Sequence, residues 1–257
     1  MAFKLGLLPR AYDPLVPQFT ALTRGVELLP PPGQVNWTRT LPRDLGMMLN
    51  DTYGDCAEAA FGHAIQTWTE NARPPMWSIS DLNIERLYSQ VTGFNPDDPS
   101  TDQGTILQSL LAFLVKTGAP IGADGSQRHK LRAYVEADVA LTDQIKWLTA
   151  DCGVVQIGFS VPAFLMNPAP PLIWDVDPNG NNAIVGGHSV AVVGYRPQGL
   201  YVISWGQIYQ MTWAFWARFV TEAYGLCDTG WITKRGTSPA GMTLAQLDAA
   251  MQAITGG

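Results

Sequence analysis

Apolar positions recur at helical spacing from Cys56 to Glu70, where Ala59, Ala60, Ala64 and Trp68, with His63 in part, share one stripe. Asp55 stands before this run as an N-cap, and the prolines of ARPP end it. SISDLNIERLYSQV and DQGTILQSLLAFLVKTGAP predict two more helices; the second carries Ile106, Leu107, Leu110, Leu111 and Leu114 and stops at Gly118. After Arg132 the pattern changes to short β-branched runs parted by turns, VVQIGFSV, HSVAVVGY and GLYVISWG. LTDQIKWLTADCG reads as a helix leading into the first of these strands, and TWAFWARFVTEAYG as another helix beyond the last. A loop rich in proline and asparagine fills residues 162–182. The first half is therefore mainly helical and the second mainly strand.

Both ends depart from this pattern. Residues 1–35 hold LLP, YDP, LVP and LLPPPG, a proline density that predicts an extended lead-in packed along a surface. Residues 236–257 place Leu244, Leu247, Met251 and Ile254 on one face behind a Thr243 cap. That amphipathic tail either packs on its own domain or docks on a neighbouring subunit.

Composition narrows the function classes. With 257 residues, 46% of them hydrophobic, the chain can bury a sizeable core. A formal net charge of -6, with Lys and Arg dispersed, argues against a nucleic-acid partner. Three widely spaced cysteines, Cys56, Cys152 and Cys227, form no disulfide framework or metal-binding pair, so at least one thiol is free. No signal peptide and no apolar run of spanning length is present, which predicts no membrane association and a cytoplasmic or particle-associated location.

Nucleophilic chemistry would centre on Cys56. A thiol attacks as thiolate, and the positive end of a helix or a nearby imidazolium favours that form. On its own, a cysteine at a helix start is more often a small buried hydrophobe, so a base is needed. Only three histidines are available. His63 lies seven residues further along the same helix, ~10 Å away by helical rise, and reads as a core residue. His129 sits in the polar stretch GSQRHK and reads as solvated. His188 opens the strand HSVAVVGY beside a loop, where a side chain is held rigidly.

NDTYGDCAEAAF, GGHSVAVVGY and YVISWG resemble, in that order, the cysteine, histidine and asparagine boxes of the papain-like cysteine peptidases. VNWTRTLP is similar to that family's mature start, DQGTILQSLLAFLVKTG to its Gly-containing segment and following helix, and LTADCGVVQIGFSVPAFL to the strand after its "GPV". The resemblance spans about residues 35 to 232 and reads as a divergent bacterial or phage-type member. It implies an α+β two-lobed fold: a lead-in at 1–35, a helical lobe at 36–130, a β-barrel-like antiparallel sheet lobe at 131–235, and the tail. It implies Cys56 as nucleophile and His188 as base in a thiolate-imidazolium pair, with Asn50 where the family has its oxyanion-hole Gln. Gly104 matches the glycine that pairs with substrate backbone, and Trp205 the residue that shields the histidine. No cofactor or metal is expected.

The departures matter as much. Ile203 stands where the family has the asparagine that orients the histidine, and cannot accept its hydrogen bond. Ser204 is a candidate replacement, although a strand should send it to the opposite face from residue 203; Asp175, Asn181 and Asn182 are others. Asn50 is one methylene shorter than Gln, Ala57 replaces a Trp, Tyr53 replaces a disulfide cysteine, and the long inhibitory prosegment is absent. Either the enzyme needs no zymogen or nothing needs restraining. Two functions follow: a cysteine-type peptidase acting on peptide or protein through a thioester, or a catalytically impaired papain-fold binding or structural module, for example in a phage particle or assembly. A ligase or transamidase would share the thioester.

Overall fold

Alternation along HSVAVVGY gives its two faces different work: Val190 and Val192 enter one buried cluster, Ala191 and Val193 another. The strand is thus the wall between two cores. The computed structural model describes residues 3–14, 16–23, 30–166, 169–239, 241, 243 and 245. In chain order its elements begin with α1 (Phe19–Leu22), β1 (Val35–Asn36), α2 (Cys56–Ala72), α3 (Asp81–Thr92), α4 (Leu107–Lys116), β2 (Ala119–Ile121), β3 (Gln127–His129) and β4 (Ala133–Glu136). They continue with α5 (Thr142–Cys152), β5 (Val155–Pro162), β6 (Ile173–Trp174), β7 (Ile184–Arg196), β8 (Gly199–Ser204), β9 (Gln207–Thr212), α6 (Trp213–Phe219) and β10 (Val220–Cys227).

The large sheet runs β4-β10-β5-β7-β8-β9-β6, with β1 also paired to β7. Its pairs are antiparallel except β6 with β9. On one side Phe159, Trp174, Trp205, Phe215 and Trp216 fill the core of the sheet lobe. On the other lies α2, whose Ala57, Ala60 and Ala64 are buried and small enough to bring the helix close to β7. Helices α3 and α4 complete this second core with Ile84, Leu87, Leu107, Leu110, Leu111 and Leu114. The architecture is α+β, with the helical lobe and the sheet lobe meeting along α2 and β7. Among the described residues no helix is long and apolar enough to cross a membrane.

Three expectations change. The run TWAFWARFVTEAYG is helical only to Phe219; Val220 to Cys227 become a strand bonded on both sides, to β4 and β5, so pairing overrides helical periodicity. Helix α4 starts at Leu107, because Gly104 adopts a left-handed φ of +85° and Thr105 bonds to the N-terminal segment. The lead-in does not simply follow a surface: residues 3–8 enter the groove between the lobes. The apolar positions of the expected tail helix, Leu244, Leu247, Met251 and Ile254, lie outside the described residues.

Candidate active site

Cys56 is the first residue of α2, and the loop before it is held by unusual backbone: Met48 and Leu49 adopt positive φ of 52° and 68°. Asp55 occupies the cap position but its side chain makes no capping bond. Its carboxyl instead accepts from Asn50 Nδ2 at 3.3 Å, and the same Nδ2 donates to Tyr53 O at 3.3 Å. The Asn50 amide is therefore engaged within its own loop. Burial, then the neighbouring Glu58 carboxyl, pushes Asp55 well above the usual carboxylate range.

His188 sits on β7 with the parity of Val190 and Val192, so its ring belongs to the sheet-lobe side. Directly across the ladder Ala191 pairs with Ile203, and both face the helical lobe. The next residue, Ser204, must face the other way, and its Oγ lies 2.7 Å from His188 Nε2. Parity thus works for the serine: Ile203 occupies the family's asparagine position in sequence, but the side chain beside the imidazole is Ser204. Neither Asp175, Asn181 nor Asn182 is bonded to His188; Asp175 accepts from Thr212 Oγ1 at 2.7 Å. Trp205 stacks on the imidazole with ring centres 4.2 Å apart and planes 13° from parallel. With Nε2 on Ser204, Nδ1 is buried and has no hydrogen-bond partner.

This placement decides what Ile203→Asn would do. The side chain is fully buried among Ala57, Ala191, Val193 and other apolar groups, so an amide there has no route to His188. The substitution is expected to lower stability by roughly 2–4 kcal/mol without improving activity, as read by denaturant unfolding beside a peptide assay. A more active variant would contradict the geometry.

The groove is occupied. Lys4 N donates to Asn50 O at 3.1 Å, Leu7 N to Gly187 O at 3.1 Å, Thr105 N to Gly6 O at 2.7 Å, and Leu8 N to Thr105 O at 3.0 Å. Residues 4–8 therefore hold backbone bonds to both lobes, running parallel to the strip around Thr105. Gly6 passes so close to Gly54 that a Cβ would stand 1.8 Å from Gly54 O, and a Cβ on Gly104 would stand 2.1 Å from Gly6 O. Phe3 lies 5.0 Å from the Trp205 ring, and Lys4 O accepts from Trp205 Nε1 at 3.4 Å.

Burial sets the charge state of this closed form. Desolvation raises the Cys56 thiol to about 12, although backbone N–H groups of Ser189 and Gly6 facing the sulfur work in the other direction. Desolvation lowers His188 to about 3. Burial thus works against both the thiolate and the imidazolium of the expected pair while the groove is filled. Glu58, in the first turn of α2, is fully buried, accepts from Thr105 Oγ1 at 2.8 Å, and is raised by desolvation to about 8.

The remaining residues fall as follows. His63 is buried, with Nδ1 2.9 Å from Gln66 Oε1. His129 is half-buried rather than free in solvent: its Nε2 lies 2.6 Å from Asp228 Oδ2, and its ring meets Phe61 edge-on. Gly104 N bonds to Tyr88 Oη at 2.8 Å. Cys152 and Cys227 are buried together with sulfurs 3.8 Å apart. The sequence reading missed Gly6, Gly54, Thr105 and Glu58; only the glycines carried a signal, and it depended on pairings 48 and more residues apart.

No family model and no curated protein matches this sequence. Solved structures do. Xylellain, a cysteine protease from Xylella fastidiosa, superimposes with a TM-score of 0.65 at 16% identity, over 88% of this chain and 97% of that one. The Carica candamarcensis cysteine protease CMS1MS2 gives 0.54 at 13% identity, over 77% and 99%. Digestive procathepsin L 3 of Tenebrio molitor larval midgut gives 0.56 at 14%, over 85% and 75%. At such identities the likeness establishes the fold, which is that of the papain-like cysteine proteases.

Proposed function

We propose that this chain is a cysteine-type peptidase in which Cys56 is the nucleophile, His188 the base, Ser204 the group that orients the base, and Trp205 its shield. The observation that carries the reading is the Ser204 bond to His188 Nε2, because it supplies the orienting partner whose absence would have argued for a dead site. With Nε2–H donating to Ser204, Nδ1 is the nitrogen able to take the thiol proton. The sulfur then attacks a substrate carbonyl carbon, and the proton passes from His188 to the departing amine. Water, activated by the same nitrogen, hydrolyses the thioester and regenerates the thiol. As the first residue of α2, Cys56 has a backbone N–H without an intrahelical partner, which makes it a donor to the oxyanion. Asn50 could join it only by leaving Tyr53 O and Asp55.

A binding or structural module is the second reading, favoured by the filled groove and by the engaged Asn50 amide. The two separate in one experiment. A peptidyl vinyl sulfone incubated with the full chain should modify Cys56 and spare Cys152 and Cys227, since conjugate addition of the thiolate to the alkene, with a proton delivered to the carbon beside the sulfone, needs nucleophile and base together. Reaction of Cys56 with iodoacetamide but never with the peptidyl probe would support the module.

A further inference from the structure

We propose that Cys152 and Cys227 are a disulfide-forming pair, a modification site that ties the end of α5 to the end of β10 and leaves Cys56 as the one cysteine with no second thiol beside it. The two sulfurs lie 3.8 Å apart and both residues are buried. A disulfide holds its sulfurs at about 2.05 Å, so the pair must close by roughly 1.8 Å, a movement that rotation about the two Cα–Cβ bonds can supply. Sequence spacing gives no sign of the meeting, because 75 residues separate the two.

The fold brings both to one end of the sheet. Strands β5 and β10 are antiparallel neighbours whose pairing ends at Val155 and Gly225, and Leu226 N donates to Val154 O at 3.2 Å just beyond. Cys152 stands before that point on the entering chain, and Cys227 after it on the leaving one. A bond between them would close the open end of this strand pair. Their backbones are held from outside as well: Cys152 O accepts from Trp68 Nε1 at 2.8 Å, and Cys227 O accepts from Arg132 N at 2.9 Å. Cys56 is out of reach. It begins α2, and roughly 18 Å of helical rise separates it from the Trp68 that bonds Cys152.

Closure takes a small disulfide as oxidant, here glutathione disulfide. One of the two cysteines, as thiolate, attacks a glutathione sulfur and expels one glutathione; the other cysteine then attacks the protein sulfur of that mixed disulfide and expels the second. One S–S bond breaks and one forms, and the two glutathione molecules carry away the two electrons and two protons that the protein gives up. The neighbouring Cys227 sulfur, then burial, holds the Cys152 thiol well above its usual range, so thiolate is scarce in the closed fold. Exchange should be slow in the folded chain and faster while the chain folds.

The test is non-reducing peptide mapping of the full chain after equilibration with mixtures of reduced and oxidised glutathione, once on the folded chain and once on chain refolded in those mixtures. The expected product carries one crosslinked peptide pair, Cys152 with Cys227, and leaves Cys56 outside it. Its melting temperature should exceed that of the reduced chain by at least about 5 °C, because a bond closing so long a loop constrains the unfolded chain. Cys227→Ala and Cys152→Ala should each abolish the crosslink and the shift in melting temperature. Absence of the crosslink in both arms would overturn the proposal, as would a crosslink that includes Cys56. A Cys152–Cys227 crosslink whose product melts no higher than the reduced chain would overturn it too, because the sulfurs would then be forced together rather than placed for bonding.

Discussion

His188→Gln is expected to lower peptide hydrolysis by about 10^4-fold or more, with the folded state retained. Glutamine is close in size and can still bond Ser204, so the packing under Trp205 survives, but it cannot accept the thiol proton. Ser204→Ala should act more gently, by roughly 10- to 100-fold, because it leaves the base in place and removes only what holds its tautomer. Its effect should fall on kcat with KM little changed, and should come with a broadened pH profile. Steady-state kinetics on a peptide substrate separates the two. A His188→Gln variant within tenfold of wild type would remove His188 from the mechanism.

Stability should fall as the pH rises from about 6.5 to 8. Burial raises Glu58 to about 8 and Glu222 to about 7, so the stability each gives is complete below its unfolded value near 4.5 and is lost as pH rises through those numbers. His63 and His188 act at the other end: lowered by desolvation to about 4 and about 3, they contribute above 6.5 and lose that contribution as pH falls. Above 6.5 only the acids are left, each worth about 1.4 kcal/mol per pH unit while it stays protonated in the fold alone. Urea unfolding at pH 6.5 and 8 checks the slope. Glu58→Gln keeps an acceptor for Thr105, should remove a large part of it, and should unfold at higher urea than wild type at pH 8. An unchanged slope would show that Glu58 is not neutral in the fold.

Much of the site was legible because it is local. Cys56 at the head of a helix follows from periodicity next to turn residues, and the helical-then-strand order gave the two lobes; His188 lies in a strand as expected but does not open it, because pairing with β5 already begins at Ile184. Ser204 was half legible: strict alternation set it opposite Ile203, but which of the two faces His188 depends on the register that pairs Ala191 with Ile203. The occupied groove was not legible at all. It is specified by glycines at 6, 54 and 104 that approach one another only in the folded chain. His129 failed for the same reason, since its partner Asp228 is 99 residues away. The strand at Val220–Cys227 was misread because its apolar spacing suits a helix until β4 and β5 claim its backbone.

The bonds between residues 4–8 and both walls have a pharmacological consequence. The occupant is attached to the same chain, so its local concentration does not fall on dilution and is of the order of millimolar for a short connector. Any external peptide or inhibitor binds only the fraction of molecules whose groove is vacant, and its apparent Kd equals the intrinsic value divided by that fraction. At one open molecule in a hundred, an inhibitor of nanomolar intrinsic affinity would register near 100 nM. Screens on the intact chain would therefore rank ligands correctly yet understate all of them by one common factor.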